Sequence, residues 1–165
     1  MIILGVDPGI AIAGWGILEY KNGMCRPLGY GAATTPADMP TEDRLLSLHL
    51  AFDDIIKEYK PTEFACEELF WNTNQKTGIY VAEARGVIIL TAKRRGLKIS
   101  EYTPLQVKQS VAGYGRADKK QVITMVTSLL KLPSPPKPDD TADALAVAIC
   151  HAYSSSSLLS KYYNN

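Results

Sequence analysis

Short apolar runs along the chain end at turn residues, a pattern that predicts buried strands. The first run ends at Asp7-Pro8-Gly9, and Asn22-Gly23 joins the second and third runs in a hairpin turn. Pro27 favours an edge strand or the start of a strand. Because tight turns join the first three strands, we expect them to form an antiparallel meander. The predicted strands are Ile2–Val6, Ala13–Tyr20, Pro27–Ala33, Phe64–Glu67 and Leu97–Tyr102.

A second pattern, in which apolar residues recur every three or four positions, predicts helices. Pro104 suits the first position of a helix, and Asp118 is a good N-cap. Gly96 follows the end of the longest predicted helix, where a helix commonly stops. The predicted helices are Thr41–Tyr59, Gln75–Arg95, Pro104–Ala112, Asp118–Lys131 and Asp140–Tyr153.

The resulting order, β-β-β-α-β-α-β-α-α-α, is typical of an α/β protein. We expect a five-stranded mixed sheet, with the meander and two further parallel strands, flanked by helices. The 165 residues fit one domain, which we place at residues 1–153. Four consecutive serines open the remaining segment, 154–165, which we expect to be a loose tail.

Composition excludes several classes of protein. The chain is 46% hydrophobic and 21% charged, as in ordinary soluble globular proteins. No apolar run is long enough to span a bilayer, and no signal peptide is apparent, so we expect no membrane association. Three cysteines without C-x-x-C spacing favour a reducing cytoplasm over disulfides or zinc. His49 and His151 lack ligand spacing, and we expect structural or exposed positions for both.

Charge is distributed unevenly although the formal net charge is only +1. Acidic residues dominate up to residue 68, and basic residues dominate from residue 69 onward. A basic face beside an acidic pocket suits the binding and cutting of a polyanion such as a nucleic acid. Solvated helix faces explain the same charges equally well at this point. The basic residues are densest at Lys93, Arg94, Arg95, Lys98, Lys108, Arg116, Lys119 and Lys120.

Four acidic residues stand where a metal-dependent phosphodiesterase would need them. Asp7 and Glu67 end predicted buried strands, and Asp140 and Asp143 share one face of a predicted helix. Each has an ordinary explanation when taken singly: a turn for Asp7, an exposed strand end for Glu67, and a helix cap for the pair. It is the set of four that predicts a site, because strands 1 and 4 can end side by side in this topology.

Carboxylate oxygens are the ligands that Mg²⁺ and Mn²⁺ prefer. Two such ions can activate a water molecule and stabilise the leaving oxygen in phosphoryl transfer. We therefore expect Mg²⁺ at this site, with Mn²⁺ as a substitute and two ions per active site.

The motifs together resemble those of the RuvC family of bacterial Holliday junction resolvases, in the ribonuclease H-like superfamily. The resemblance runs in family order over nearly the whole chain and ends near residue 152. The matching segments are Gly5-Val6-Asp7-Pro8-Gly9, Gly14-Trp15-Gly16, Cys66-Glu67-Glu68-Leu69-Phe70, Glu83-Ala84-Arg85-Gly86, Pro104-Leu105-Gln106-Val107-Lys108-Gln109, Gly113-Tyr114-Gly115, Lys119-Lys120-Gln121-Val122 and Asp140-Thr141-Ala142-Asp143-Ala144-Leu145-Ala146.

The resemblance implies a ribonuclease H-like fold and a crossover junction endodeoxyribonuclease that makes paired symmetric nicks in recombination and repair. It implies that the four acids are catalytic and bind the metal, with Glu67 preferred to Glu68 because it precedes Phe70 by three residues. The implied DNA contacts are Phe70, at the unstacked junction centre, and Lys108 and Lys119, near the scissile phosphate. Lys119 is also assigned a catalytic role, and the basic stretch adds Arg116 and Lys120 as DNA contacts.

The implied partners are four-way junction DNA, a second copy of the chain and the RuvA-RuvB branch-migration complex. A homodimer also follows from geometry, because two identical sites about a two-fold axis make symmetric nicks most simply. The predicted helix Gln75–Arg95 is the expected interface.

Three other functions remain open on the residues alone. A related ribonuclease H-like nuclease would act on RNA or another branched DNA. A sugar-kinase-like or actin-like ATPase needs a duplicated domain, for which the chain is too short. A non-catalytic junction-binding module would gain nothing from four acids that face phosphates.

Overall fold

The computed structural model of the protein describes residues 1–69 and 75–156. Within these residues the chain forms five strands and five helices in the predicted order. The strands are β1 (Ile2–Asp7), β2 (Ile12–Lys21), β3 (Met24–Thr34), β4 (Glu63–Glu67) and β5 (Lys98–Tyr102). The helices are α1 (Thr41–Tyr59), α2 (Gln75–Arg94), α3 (Pro104–Ala112), α4 (Lys119–Leu129) and α5 (Asp139–Ser156).

The strands form one mixed sheet in the order β3-β2-β1-β4-β5. The first three strands pair antiparallel, and β1-β4 and β4-β5 pair parallel. Val6 of β1 lies beside Cys66 of β4, so the next residues, Asp7 and Glu67, lie at the same edge of the sheet. This parallel pairing is what brings two acids together that are sixty residues apart in the chain.

Helices cover both faces of the sheet. On one face α1 and α2 build a core that includes Phe52 and Ile88. On the other face α3, α4 and α5 build a second core, with α5 packed directly against β1 and β2. Among the described residues, none of the helices has both the length and the apolar character that a bilayer crossing needs.

The predicted element order and the five-stranded mixed sheet are confirmed, and α1 and α3 have the predicted bounds. β3 is an edge strand, as Pro27 predicts. α4 ends at Leu129 because Lys131 adopts a left-handed backbone with φ 51°, which no α-helix can continue. α5 continues to Ser156, so the first three residues of the predicted tail are helical, and 157–165 lie outside the described residues.

Candidate active site

Four acidic side chains from three elements converge at one edge of the sheet. Asp7 is the last residue of β1 and Glu67 is the last residue of β4. Asp140 and Asp143 lie in the first turns of α5, which crosses the sheet at β1 and β2. Asp143, Asp140 and Glu67 all lie close enough to Asp7 for their negative charges to add to the effect of burial on its pKa.

Glycines in the sheet allow α5 to lie close enough for this convergence. Gly14 pairs with Asp7 across β1 and β2, and a Cβ atom at Gly14 would collide with the backbone carbonyl of Asp140. A Cβ atom at Gly5 would collide with the backbone of Ala144 in the same way. The α5 backbone therefore rests on bare strand backbone, and the position of Asp140 beside Asp7 is set by sterics.

The opposite end of α5 is held by a buried polar contact. Nδ1 of His151 lies 2.7 Å from the Tyr102 hydroxyl, and Nε2 lies 3.5 Å from a carboxylate oxygen of Glu63. Burial lowers the pKa of His151, against the opposing charge of Glu63, so the imidazole is neutral at physiological pH. The structural role expected for His151 agrees with this position.

Burial, together with the crowding of negative charge, raises the pKa values of three of the acids. Burial, followed by the charges of Asp143, Asp140 and Glu67, raises the pKa of Asp7 to about 7. Burial and then the charge of Asp143 raise the pKa of Glu67. Burial is also the main cause of the raised pKa of Asp143. Three partly buried carboxylates that resist ionisation together form a site that favours a cation.

Two lysines stand at this acidic edge. Nζ of Lys119 lies 3.1 Å from Asp143 Oδ2 and 3.7 Å from Asp139 Oδ2. Its own pKa is raised because the hydrogen bond and charge of Asp143 outweigh its partial burial. Lys108 of α3 lies close enough to Glu67 to oppose the rise in the pKa of that acid. Both lysines therefore lie near the acids, and their role as phosphate-binding cations stays a prediction.

An open cavity of about 240 Å³ adjoins Asp7 and Glu67. Arg85 of α2 lines it, and its Nη2 is 2.8 Å from Glu101 Oε1. The sequence motifs assigned neither Arg85 nor Asp139 to the site, although both lie at this edge of the molecule. The four-residue spacing of Asp139 and Asp143 could have placed Asp139 at the site, because residues four apart share a helix face. The remaining lining residues are Pro8, Glu68, Leu69, Val81 and Pro104.

The donor set of the site fits a hard divalent cation. All four candidate ligands are carboxylates, the donors that Mg²⁺ and Mn²⁺ take. Burial and neighbouring negative charge raise the pKa values of Asp7, Glu67 and Asp143, so a bound cation would be favourable there. In the part of the chain that is described, no three His, Cys, Asp or Glu side chains are close enough to enclose an ion as they stand.

The other predicted DNA contacts divide into three groups. Phe70 and the neighbouring Trp71 lie outside the described residues. Arg116 is exposed in the loop before α4. Lys120 lines a separate cavity of about 340 Å³ with Tyr114 and Met125, which has no pair of converging acids.

The basic stretch from Lys93 to Lys120 does not form a single face. Arg95 follows α2 at the sheet edge opposite the acids, where it makes a two-point ion pair with Asp53 of α1. Only the later members, Lys108 and Lys119, reach the acids. The expected basic face beside the acidic pocket is therefore smaller than the sequence indicates.

The amino-acid sequence matches one protein family and its members over nearly its whole length. A family model described as crossover junction endodeoxyribonuclease RuvC matches residues 3–151. The chain is 60% identical over 154 residues to a protein of Clostridioides difficile strain 630 with the same description, covering 93% of this chain and 91% of the relative.

Solved structures give a consistent result. The fold is similar to that of Thermus thermophilus RuvC, with a TM-score of 0.86, 32% identity, and coverage of 94% of this chain and 95% of the other. It is also similar to T. thermophilus RuvC in complex with Holliday junction substrate, with a TM-score of 0.85, 29% identity, and the same coverage.

Proposed function

The chain belongs to the RuvC family of crossover junction endodeoxyribonucleases, and we propose that its four clustered carboxylates form the centre that nicks the junction. The protein is an endonuclease that resolves Holliday junctions. This membership decides against the alternatives of an RNA-directed nuclease and a non-catalytic junction-binding module. The observation that carries the proposed site is geometric: the ends of β1 and β4 and the start of α5 bring Asp7, Glu67, Asp140 and Asp143 to one edge of the sheet.

Nucleases of this family depend on a divalent metal, and here we propose that the four acids hold Mg²⁺ or Mn²⁺, two ions per site. The metal would supply an activated water and stabilisation of the leaving oxygen. Asp7 is the most buried of the acids with a raised pKa, so it lies deepest in the proposed site. Glu67 and Asp143 flank it from β4 and α5, which supports a role for both as ligands.

The chain's cations position the substrate. Lys108 and Lys119 stand beside the acids and offer ammonium groups to the phosphates on either side of the cut. Without them, the acidic edge would repel the DNA backbone that it has to approach. Arg116 and Lys120, both exposed, are proposed as further contacts along a junction arm, and Phe70 as the contact to unstacked bases.

A second copy of the chain is part of the proposal. The face of α2 that points away from the core presents Ile79 and Leu90, which are 54% and 60% exposed. Gly86 lies between them on that face, and apart from its chain neighbours and the nearby backbone of α2, no atom of the described residues lies within 4 Å of where its Cβ would be. A helix-interior glycine costs about 1 kcal/mol relative to alanine, and no contact within the described chain explains it. Close approach by a second α2 supplies a reason, and it supports the interface predicted from sequence.

Two further parts of the proposal come from the family and the cysteines. Cooperation with the RuvA-RuvB branch-migration complex is proposed by family alone. A reducing cytoplasm agrees with Cys25, Cys66 and Cys150, all of which are free thiols.

A substrate panel tests the proposed function. We expect a synthetic four-way junction to be nicked in pairs on strands of like polarity when Mg²⁺ is present, and to stay intact in a chelator. A linear duplex with the same arm sequences is the matched control and should be cut far more slowly. Faster cutting of an RNA–DNA hybrid, or full activity in the chelator, would contradict the proposal.

A further inference from the structure

Lys119 makes an ion pair that the proposed metal centre leaves unexplained. Its ammonium lies between two carboxylates of α5, 3.1 Å from Asp143 and 3.7 Å from Asp139. Asp139 and Asp143 are four residues apart and therefore share a helix face, which lets one cation reach both. Asp143 thus faces Lys119 as well as the other proposed ligands.

The carboxylates of α5 are held in place by packing of the helix, whereas the Lys119 side chain is free to change its conformation. α5 is held against the sheet because Gly14 and Gly5 leave no space between its backbone and the strands. Asp118 fixes only the backbone at the start of α4, through a capping box with Gln121. The Lys119 side chain is 54% exposed and has four rotatable methylene groups, so it is the partner that can move.

Exposure also differs between the two carboxylates. The Asp139 side chain is 58% exposed, whereas that of Asp143 is 32% exposed and lies at the acid cluster. A divalent ion at Asp143 would repel an ammonium 3.1 Å from the same carboxylate. Asp139 is the acceptor that remains within reach of Lys119 and lies on the solvent side.

We propose that Lys119 competes with a divalent ion for Asp143, and that this lysine moves to Asp139 when the ion is bound. Asp139 is then a positioning residue, which keeps the ammonium at the mouth of the site where a DNA phosphate arrives. The inference rests on the proposed metal centre and extends it, because it couples metal binding to the availability of the phosphate-binding lysine.

Mn²⁺ binding to the DNA-free protein, measured by isothermal titration calorimetry, tests the transfer without any activity measurement. Lys119→Met should tighten Mn²⁺ binding by about two- to fivefold, the range that corresponds to one partly exposed ion pair. Lys120→Met removes the same charge one residue further along α4. It measures how much the loss of any nearby positive charge changes Mn²⁺ affinity. It should have a clearly smaller effect, and equal effects of the two variants would contradict the transfer.

A double-mutant cycle separates transfer from simple charge removal. Asp139→Asn should weaken Mn²⁺ binding in the wild-type background, because the displaced lysine then loses its acceptor. In the Lys119→Met background the same substitution should weaken Mn²⁺ binding less, by about twofold or more. Strictly additive effects would overturn the role of Asp139. Circular dichroism of each variant checks that the fold is retained.

Failure of the inference is distinguishable from failure of the proposed site. If the wild-type protein binds no Mn²⁺, or if Asp7→Asn leaves Mn²⁺ affinity unchanged, the metal centre itself is wrong. If Mn²⁺ binds and Asp7→Asn abolishes binding while the cycle is additive, the centre stands and the lysine transfer is wrong.

Discussion

Single residues at the acidic edge are arranged for ligand binding at the expense of stability. Burial and three neighbouring carboxylates raise the pKa of Asp7 from 3.8 to about 7, so its ionised form is disfavoured in the folded chain. Lys119 offsets part of the repulsion between the acids through its ion pair with Asp143. Lys108 offsets another part through its charge near Glu67. A folded chain without metal therefore carries uncompensated negative charge, which is typical of a functional site.

The pH dependence of stability follows from the sign of this shift. The folded pKa of Asp7 lies above the unfolded value, so its contribution to stability is fully present below about pH 3.8 and is lost as pH rises to about 7. We expect Asp7→Asn to be more stable than the wild-type protein at pH 8 in a chelator, by at most a few kcal/mol. The advantage should shrink steadily as pH falls toward 4.

Urea unfolding of both proteins at several pH values measures this difference. Saturating Mg²⁺ at pH 8 should remove the advantage of the variant, because the ion compensates the charge in the wild-type site. A stability difference that is the same at pH 8 and pH 4.5 would contradict the electrostatic account of Asp7.

Among the elements, α5 and α2 carry the functional consequences of the fold. α5 delivers two acids to the edge and is fixed at both ends, by Gly14 near Asp140 and by Tyr102 at His151. α2 packs one face into the core through Ala84 and Ile88 and exposes Ile79 and Leu90 on the opposite face. The first helix organises the site within one chain, and the second is proposed to pair two chains.

Leu90→Glu tests the proposed pairing through α2. The substitution places a charge on the exposed apolar face, so we expect the dimer to dissociate and paired nicking to be lost. Met24→Glu is the matched control, because Met24 is 70% exposed and lies in the hairpin far from α2. Analytical ultracentrifugation of both variants reads the result, and a dimer that persists in Leu90→Glu would contradict this interface.

For the whole molecule, local signals predicted most of the architecture. Pro104 at the first position of α3 and the N-cap Asp118 before α4 are local sequence signals, so the starts of both helices were predicted correctly. The meander followed from the turn at Asn22 and Gly23, and the neighbourhood of Asp7 and Glu67 followed from the topology. Such features depend on short-range chemistry that a sequence displays.

Long-range pairs could not be predicted in the same way. Arg95 pairs with Asp53, and Arg85 pairs with Glu101, across helices and strands whose relative placement no local pattern specifies. The end of α4 was missed because the left-handed turn is made at Lys131, where neither glycine nor asparagine signals it. The basic stretch is split between the two edges of the sheet for the same reason. The order of charges along a sequence does not specify at which edge each side chain lies.

The central claim is that the acidic edge of the sheet is the catalytic centre, and two adjacent glutamates test it most directly. Glu67 ends β4 beside the other acids, whereas the exposed Glu68 follows it outside the strand. The measurement is the single-turnover nicking rate of a four-way junction in Mg²⁺, with junction binding measured separately in a chelator. Glu67→Gln should lower the rate by more than the roughly 10–100-fold that loss of a supporting contact costs, with binding retained. Glu68→Gln should leave the rate close to that of the wild-type protein, and equal losses in the two variants, or a greater loss in Glu68→Gln, would contradict the account.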